Sequence, residues 1–213
     1  MNLWLSCHLL FVALFLRSSA LTPEECQPLI TPLSLADPSV MYGKVNFLAG
    51  VTDHDAYKAI LKVTESSWVN ITESPSSTTE AVMSEGSRIN GTCMASGANV
   101  TIKDNIASAT LTNMTWALHI LPSCDGCIVF SLNSTAKNSK KMFELMNISI
   151  ADDADEIHAH SLYLLGRQLT LKDSDLEHFK KQASCLGFSG ELDFLFNPEK
   201  SFCKEGEGIK VPF

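Results

Sequence analysis

Six Asn-x-Ser/Thr triplets and seven cysteines are the residues of this 213-residue chain whose types and spacing most clearly specify chemistry. The triplets begin at Asn70, Asn90, Asn99, Asn113, Asn133 and Asn147. Each is an acceptor for an N-linked sugar. Beyond residue 20 only four other asparagines occur, Asn46, Asn105, Asn138 and Asn197. At ordinary serine and threonine abundance, chance places roughly one or two asparagines in that context. The excess points to a secreted glycoprotein, with four or more of the acceptors expected to carry sugar. A sugar needs a solvated site, so residues 70–149 must present turns or strand edges to water. Cys26, Cys93, Cys124, Cys127, Cys185 and Cys203 follow the early Cys7. An even number in an oxidising compartment implies three disulfides, and the count alone allows fifteen connectivities.

Two other clusters could carry chemistry. Cys124-Asp-Gly-Cys127 has the spacing of a redox pair. Redox pairs usually cap a helix, whereas this one lies between two apolar strands with a turn dipeptide inside it, so a structural bridge is expected. The run from Asp152 to His160 holds Asp153, Asp155, Glu156 and His158 as well. In an extended chain His158 and His160 share a face, where carboxylates could complete a metal site. The spacing and glycine of a calcium loop are missing, and a solvated loop entering a strand is the expected reading. No nucleophile elbow, phosphate-binding loop or zinc-protease motif occurs. No catalytic residue, metal or cofactor is assigned, and the chain is expected not to be an enzyme.

The segment that delivers the chain to that compartment is the apolar run Leu9–Leu16 followed by Ser18-Ser19-Ala20. This is the pattern of a signal peptide over residues 1–20, shorter than a membrane span of about 20 apolar residues. Cleavage after Ala20 leaves a single domain over 21–213 and, with Arg17 gone, takes the formal charge from −8 to −9. The acidic balance argues against nucleic acid as a partner, and favours cationic ligands mildly.

From Val45 to Gly166, short apolar stretches alternate with turn residues. Strands are expected at 45–51, 66–71, 81–88, 93–102, 106–111, 115–121, 128–132, 142–150 and 160–165. Asn90-Gly91 and Asp125-Gly126 are tight-hairpin dipeptides. So many short strands at regular spacing indicate an all-β sandwich or barrel. One helix follows: Ser174-x-x-Glu177 can form a capping box, Leu176, Phe179, Ala183 and Leu186 recur at helical spacing, and Gly187 can end it.

This order resembles the lipocalins, and the resemblance implies an eight-stranded up-and-down antiparallel barrel with one C-terminal helix packed outside. Gly43-Lys44-Val45 stands where that family has Gly-x-Trp, without the tryptophan. Arg167 stands where the family keeps an arginine that stacks on it. The stretches "NFLAGV", "LPSCDGC", "FSLNST" and "QASCLGFSGELDFLFNPEKSFC" are similar to the branch of apolipoprotein M and orosomucoid, near the fish plasma proteins that bind toxins or tributyltin. The likeness covers roughly residues 24–205. It implies Cys26–Cys185 and Cys93–Cys203, which leaves Cys124 with Cys127. It places Phe47 and Tyr57 at the pocket, with Tyr163 a looser match. Trp68, Trp116, His119 and Phe143 are strand aromatics or polar handles that could also face inward. In that branch arginines bind a lipid phosphate after the mid-barrel cysteine. Between Cys93 and Cys124 this chain has none, Ser96 stands where the first would be, and Lys103 is the one fixed cation. A buried phosphate without paired cations is expensive. The expected function is therefore secreted, monomeric carriage of a small neutral or cationic lipophile in plasma, with lipoprotein particles a further partner that the resemblance raises. The alternative is an immune-modulating, acute-phase-type interaction glycoprotein whose barrel is filled by its own side chains.

Overall fold

The computed structural model describes residues 21–149 and 155–211; the expected signal peptide and Asp152 and Asp153 of the acidic cluster lie outside them. Eight strands run in chain order: β1 Gly43–Thr52, β2 Thr64–Glu73, β3 Glu80–Ile89, β4 Thr92–Lys103, β5 Ile106–Thr110, β6 Met114–Leu121, β7 Cys127–Lys137 and β8 Glu156–Gly166. Each pairs antiparallel with the next, and β8 returns to β1. The ring is a closed up-and-down barrel, with β4 and β5 joined over Thr101–Lys103.

Turn chemistry explains the hairpins. Asn90 and Gly91 both have positive φ, 48° and 75°, the left-handed pair whose twist matches two antiparallel strands. Asp104 and Asn105 form a second such turn at 52° and 64°. Neither is glycine, but both side chains tolerate this region. The Asp125-Gly126 hairpin is corrected: strand pairing resumes only at Leu121 opposite Val129, so the turn belongs to a longer loop. Within it the Cys127 N–H donates to the Cys124 carbonyl at 3.0 Å.

Four helices pack on this frame: α1 Pro23–Ile30, α2 Asp55–Val63, α3 Lys140–Leu145 and α4 Asp173–Cys185. No strand forms over 142–149, the described part of the strand expected at 142–150. Asn138 turns the chain with φ 49°, and Met142, Phe143 and Met146 then bring apolar side chains to one side of a short helix rather than to one side of a strand. Phe143 is thus a helical residue, 1% exposed against Ala56, Tyr57, Ala136 and Ile157. Tyr57 likewise sits on α2 rather than in a loop. In α4 the capping box does not form: Lys172 is at the N-cap with no side-chain cap, and Ser174 Oγ lies 3.5 Å from Asp175 Oδ1 instead. A capping box does form at α1, between Thr22 and Glu25. Phe179 and Ala183 of α4 bury against outward residues of β1, β7 and β8.

The floor closes without a tryptophan. The segment before β1 crosses the barrel end, its Leu33 N–H donating to the Ile120 carbonyl at 2.8 Å and its Leu35 N–H to Asn105 Oδ1 at 2.8 Å. Val45 is fully buried there with Leu35, Met41 and Ile71. Arg167 donates to the Tyr42 carbonyl at 3.0 Å and lies over Gly43, whose φ of +100° and lack of a side chain admit it.

The C-terminal tail wraps the outer wall. Phe194–Leu195 (β9) pairs with β1, and Ile209–Lys210 (β10) runs parallel to β4. Disulfides join Cys26 to Cys185, Cys93 to Cys203 and Cys124 to Cys127. The first ties α1 to α4, and the second fixes the tail to β4. Trp68 anchors the same tail: its indole N–H donates to the Cys203 carbonyl at 2.8 Å. Its ring lies over Gly86 on the neighbouring strand, where an added Cβ would come within 2.7 Å of three ring positions. Gly86→Ala is therefore expected to destabilise the fold by about 1–3 kcal/mol through overpacking. Chemical denaturation checks this; an unchanged midpoint would show that the indole is free to move aside.

Candidate ligand cavity

The pleat of a closed barrel sends alternate side chains inward. On β3 these are Ala81, Met83, Glu85, Ser87 and Ile89; on β6, Trp116, Leu118 and Ile120; on β8, Ser161, Tyr163 and Leu165. They enclose a cavity of about 230 Å³. That is room for roughly seven or eight waters at ~30 Å³ each, below the ~300–1,000 Å³ usual for drug-sized ligands.

Phe47, Tyr57, Trp116, Phe130 and Tyr163 supply its aromatic wall, with Val69, Met83, Leu118 and Leu165 between them. Ile60 and Leu61 of α2, Met142 of α3 and Met146 at its C-cap line the opposite end from the floor. Asn90 holds that end together, its side-chain amide donating to the Met146 carbonyl at 2.8 Å. Methionines are flexible enough to reshape such a mouth around different occupants.

Phe47 has a second task. Its ring stacks on Phe194 at 4.3 Å and meets Tyr163 edge-on at 5.0 Å. The Gly50 backbone passes so close that a Cβ there would fall 2.5 Å from the Phe47 ring. A β-bulge between Phe47 and Ala49 makes this geometry possible, shifting Gly50 onto the inner face opposite Tyr163.

Burial raises the Tyr163 hydroxyl well above the usual tyrosine range; Ser161 opposes the rise, and Tyr57, Glu85 and Asp193 add to it. Tyr57 is raised by burial too. Ser134 partly offsets that, at a geometry leaving both oxygens short of a formed hydrogen bond. Ser161 donates to Thr52 Oγ1 at 2.8 Å, and Thr52 Oγ1 donates to the His160 carbonyl at 3.1 Å. Tyr57 and Tyr163 thus bring hydroxyls to the cavity wall, with Ser161 and Thr52 buried beside them.

The remaining polar feature was not singled out from the sequence. Glu85 lies on the inner face of β3, opposite Val69 on one side and Ser96 on the other. Ser87 Oγ lies 2.8 Å from its Oε1, and Ser96 Oγ 3.1 Å from its Oε2. Ser67 Oγ is 2.9 Å from Ser87 Oγ. Ser87 has one hydroxyl hydrogen; given to the carboxyl group, it makes Ser67 the donor to Ser87. No lysine, arginine or histidine lines this cavity among the described residues. The signal was present in the alternation of 81–89, where Glu85 falls in phase with Ala81, Met83 and Ile89.

Two expected site residues are corrected. Trp68 points outward, because its parity on β2 opposes that of Val69, and its indole is used by the tail. His119 also points outward, in antiphase to Trp116 and Leu118, opposite Ser131. The histidine pair shares the outer face of β8, but its nitrogens serve strand neighbours. His158 lies 3.1 Å from Thr135 Oγ1 and 3.3 Å from Glu156, and His160 Nε2 lies 3.0 Å from Ser131 Oγ. Burial lowers the His160 pKa, and Asp53 opposes that. No group of three metal-ligating side chains occurs among the described residues.

No family model and no curated relative matches the chain. Solved structures do. It is similar to the siderocalin Ex-FABP, described as working through dual ligand specificities, at 14% identity and a TM-score of 0.54 over 73% of this chain and 93% of that one. It is also similar to a second siderocalin, described as having a dual ligand-binding mode, at 12% identity and a TM-score of 0.56 over 81% and 98%. At such identities the likeness is one of fold: the chain has the lipocalin fold.

Because Phe47 joins the cavity wall to the tail, Phe47→Ala should lower stability by about 3–5 kcal/mol, the usual range for emptying an aromatic core position. Protection of the Phe194–Phe196 amides against hydrogen exchange should fall with it. Unchanged denaturation and exchange would mean that Phe47 serves the cavity alone.

Proposed function

We propose that this chain is a secreted glycoprotein that carries a small lipophilic ligand, neutral or cationic, in its barrel cavity. The observation that carries the reading is the barrel interior of about 230 Å³ with a largely aromatic and aliphatic wall and no basic side chain among its described lining residues. Binding there needs no chemical step. Apolar walls replace water around the ligand, at roughly 25 cal/mol for each Å² of apolar surface withdrawn, and hydroxyls such as Thr64 and Ser67 orient its polar end. An anionic lipid head would lose its hydration without gaining a cation in return.

Secretion is supported by the six sugar acceptors and the three bridges. Asn90, Asn99, Asn113, Asn133 and Asn147 are exposed and Asn70 is half-buried. Asn70, Asn99 and Asn133 sit on strands in antiphase to the cavity-facing or core-facing residues beside them, so sugars there would not enter the lumen. The reading includes plasma transport as a monomer, with no catalytic role. A place on lipoprotein particles stays part of the proposal only as a passenger surface, with the leader removed.

The test uses the position of Trp116 in the cavity wall. Titration with 2-phenylethanol should give a saturable change in tryptophan fluorescence, lost in Trp116→Phe while calorimetric binding persists. If neither fluorescence nor calorimetry detects saturable binding to the wild-type protein, the interior is filled by its own side chains. The interaction-glycoprotein alternative then takes over.

A further inference from the structure

We propose that Glu85 is the anchor for a cationic ligand head, so that the cavity selects small aryl- or alkylamines over neutral molecules of the same shape. This deepens the carrier reading above and rests on it. A carboxylate offers about four acceptor sites, two on each oxygen. Ser87 occupies one on Oε1, and Ser96 occupies one on Oε2. The two that remain belong to a side chain lining the cavity. Its apolar neighbours on that face are Val69 and Met83.

The hydroxyls do not neutralise the group; they hold it. Ser67, Ser87 and Ser96 all come from the strands directly beside Glu85 or from its own strand, and Ser67 and Ser87 are themselves buried. This donor set fixes both carboxyl oxygens before any ligand arrives, which lowers the ordering cost of binding. No basic side chain lines the cavity among the described residues, so a cationic occupant would supply a counter-charge that the wall does not. An ammonium group supplies that charge and up to three donors at once. Trp116, Phe130 and Leu118 on the other strands of the same wall can then take an aromatic or short aliphatic body. The cavity volume of about 230 Å³ restricts that body to a small one.

The experiment compares 2-phenylethylamine with 2-phenylethanol on the disulfide-intact mature chain at pH 7, by calorimetry. Wild type should bind the amine about ten- to a hundredfold more tightly, the range of a hydrogen bond to a charged group. Glu85→Gln should bring the two affinities to within about twofold, chiefly by weakening the amine, as loss of a charge-assisted bond requires. Glu85→Asp keeps the charge and should retain a preference for the amine. Circular dichroism establishes that each variant is folded, and the wild-type comparison stands even if Glu85→Gln is not. Alcohol binding with no preference for the amine, or a preference that survives in folded Glu85→Gln, overturns the anchor and leaves the carrier reading intact. Binding of neither probe overturns both.

Discussion

Closure of the strand ring is the constraint from which the rest of this molecule follows. Once β8 pairs with β1, the strand ladder runs right round the wall, and outside the β1 bulge side chains are divided by parity. A residue one position out of phase faces a different solvent. Trp68 and Val69 are adjacent in sequence, yet one anchors the tail and the other lines the cavity. Eight strands also leave a narrow interior, so a single inward carboxyl group or aromatic ring changes what can fit.

The outer wall is completed by segments that would otherwise be loose. α4 covers β1, β7 and β8, and the tail covers β1 to β4 through short strand pairings, Trp68 and the Cys93–Cys203 bridge. Gln182 ties α4 to α1 and to the loop after β6, donating to the carbonyls of Leu29 and Pro122 at 2.8 Å each. The Phe47–Phe194 stack couples this exterior to the cavity wall at the β1 bulge. Stability and ligand space therefore share side chains here, and substitutions at Phe47 report on both.

Much of the barrel was legible because its strands alternate and the β3–β4 turn is Asn90-Gly91. The failures have local causes. Residues 142–150 are apolar enough for a strand, but the positive φ of Asn138 and the 142, 143, 146 spacing favour one helical turn capping the barrel. The α2 helix was hidden because it fills what a hairpin would leave as a loop. β7 runs on to Lys137 although its later outward positions are polar, since only its inward residues Ser134 and Ala136 meet the interior. Among the aromatics, parity separated Trp116 from Trp68 only once the register was known. Glu85 was the costliest omission: a carboxyl group in phase with an apolar face was visible in the sequence, but its three hydroxyl neighbours come partly from other strands.

A crystal structure of the wild-type protein with 2-(4-bromophenyl)ethylamine tests the central claim, that the barrel interior is a binding site polarised toward Glu85. The account predicts a bromine anomalous peak inside the barrel, on the Trp116 and Phe130 side, with the amine nitrogen within hydrogen-bonding distance of the Glu85 carboxylate. Bromine outside the barrel, such as in the groove beneath α4 lined by His178 and Gln182, with the interior unchanged, would contradict it.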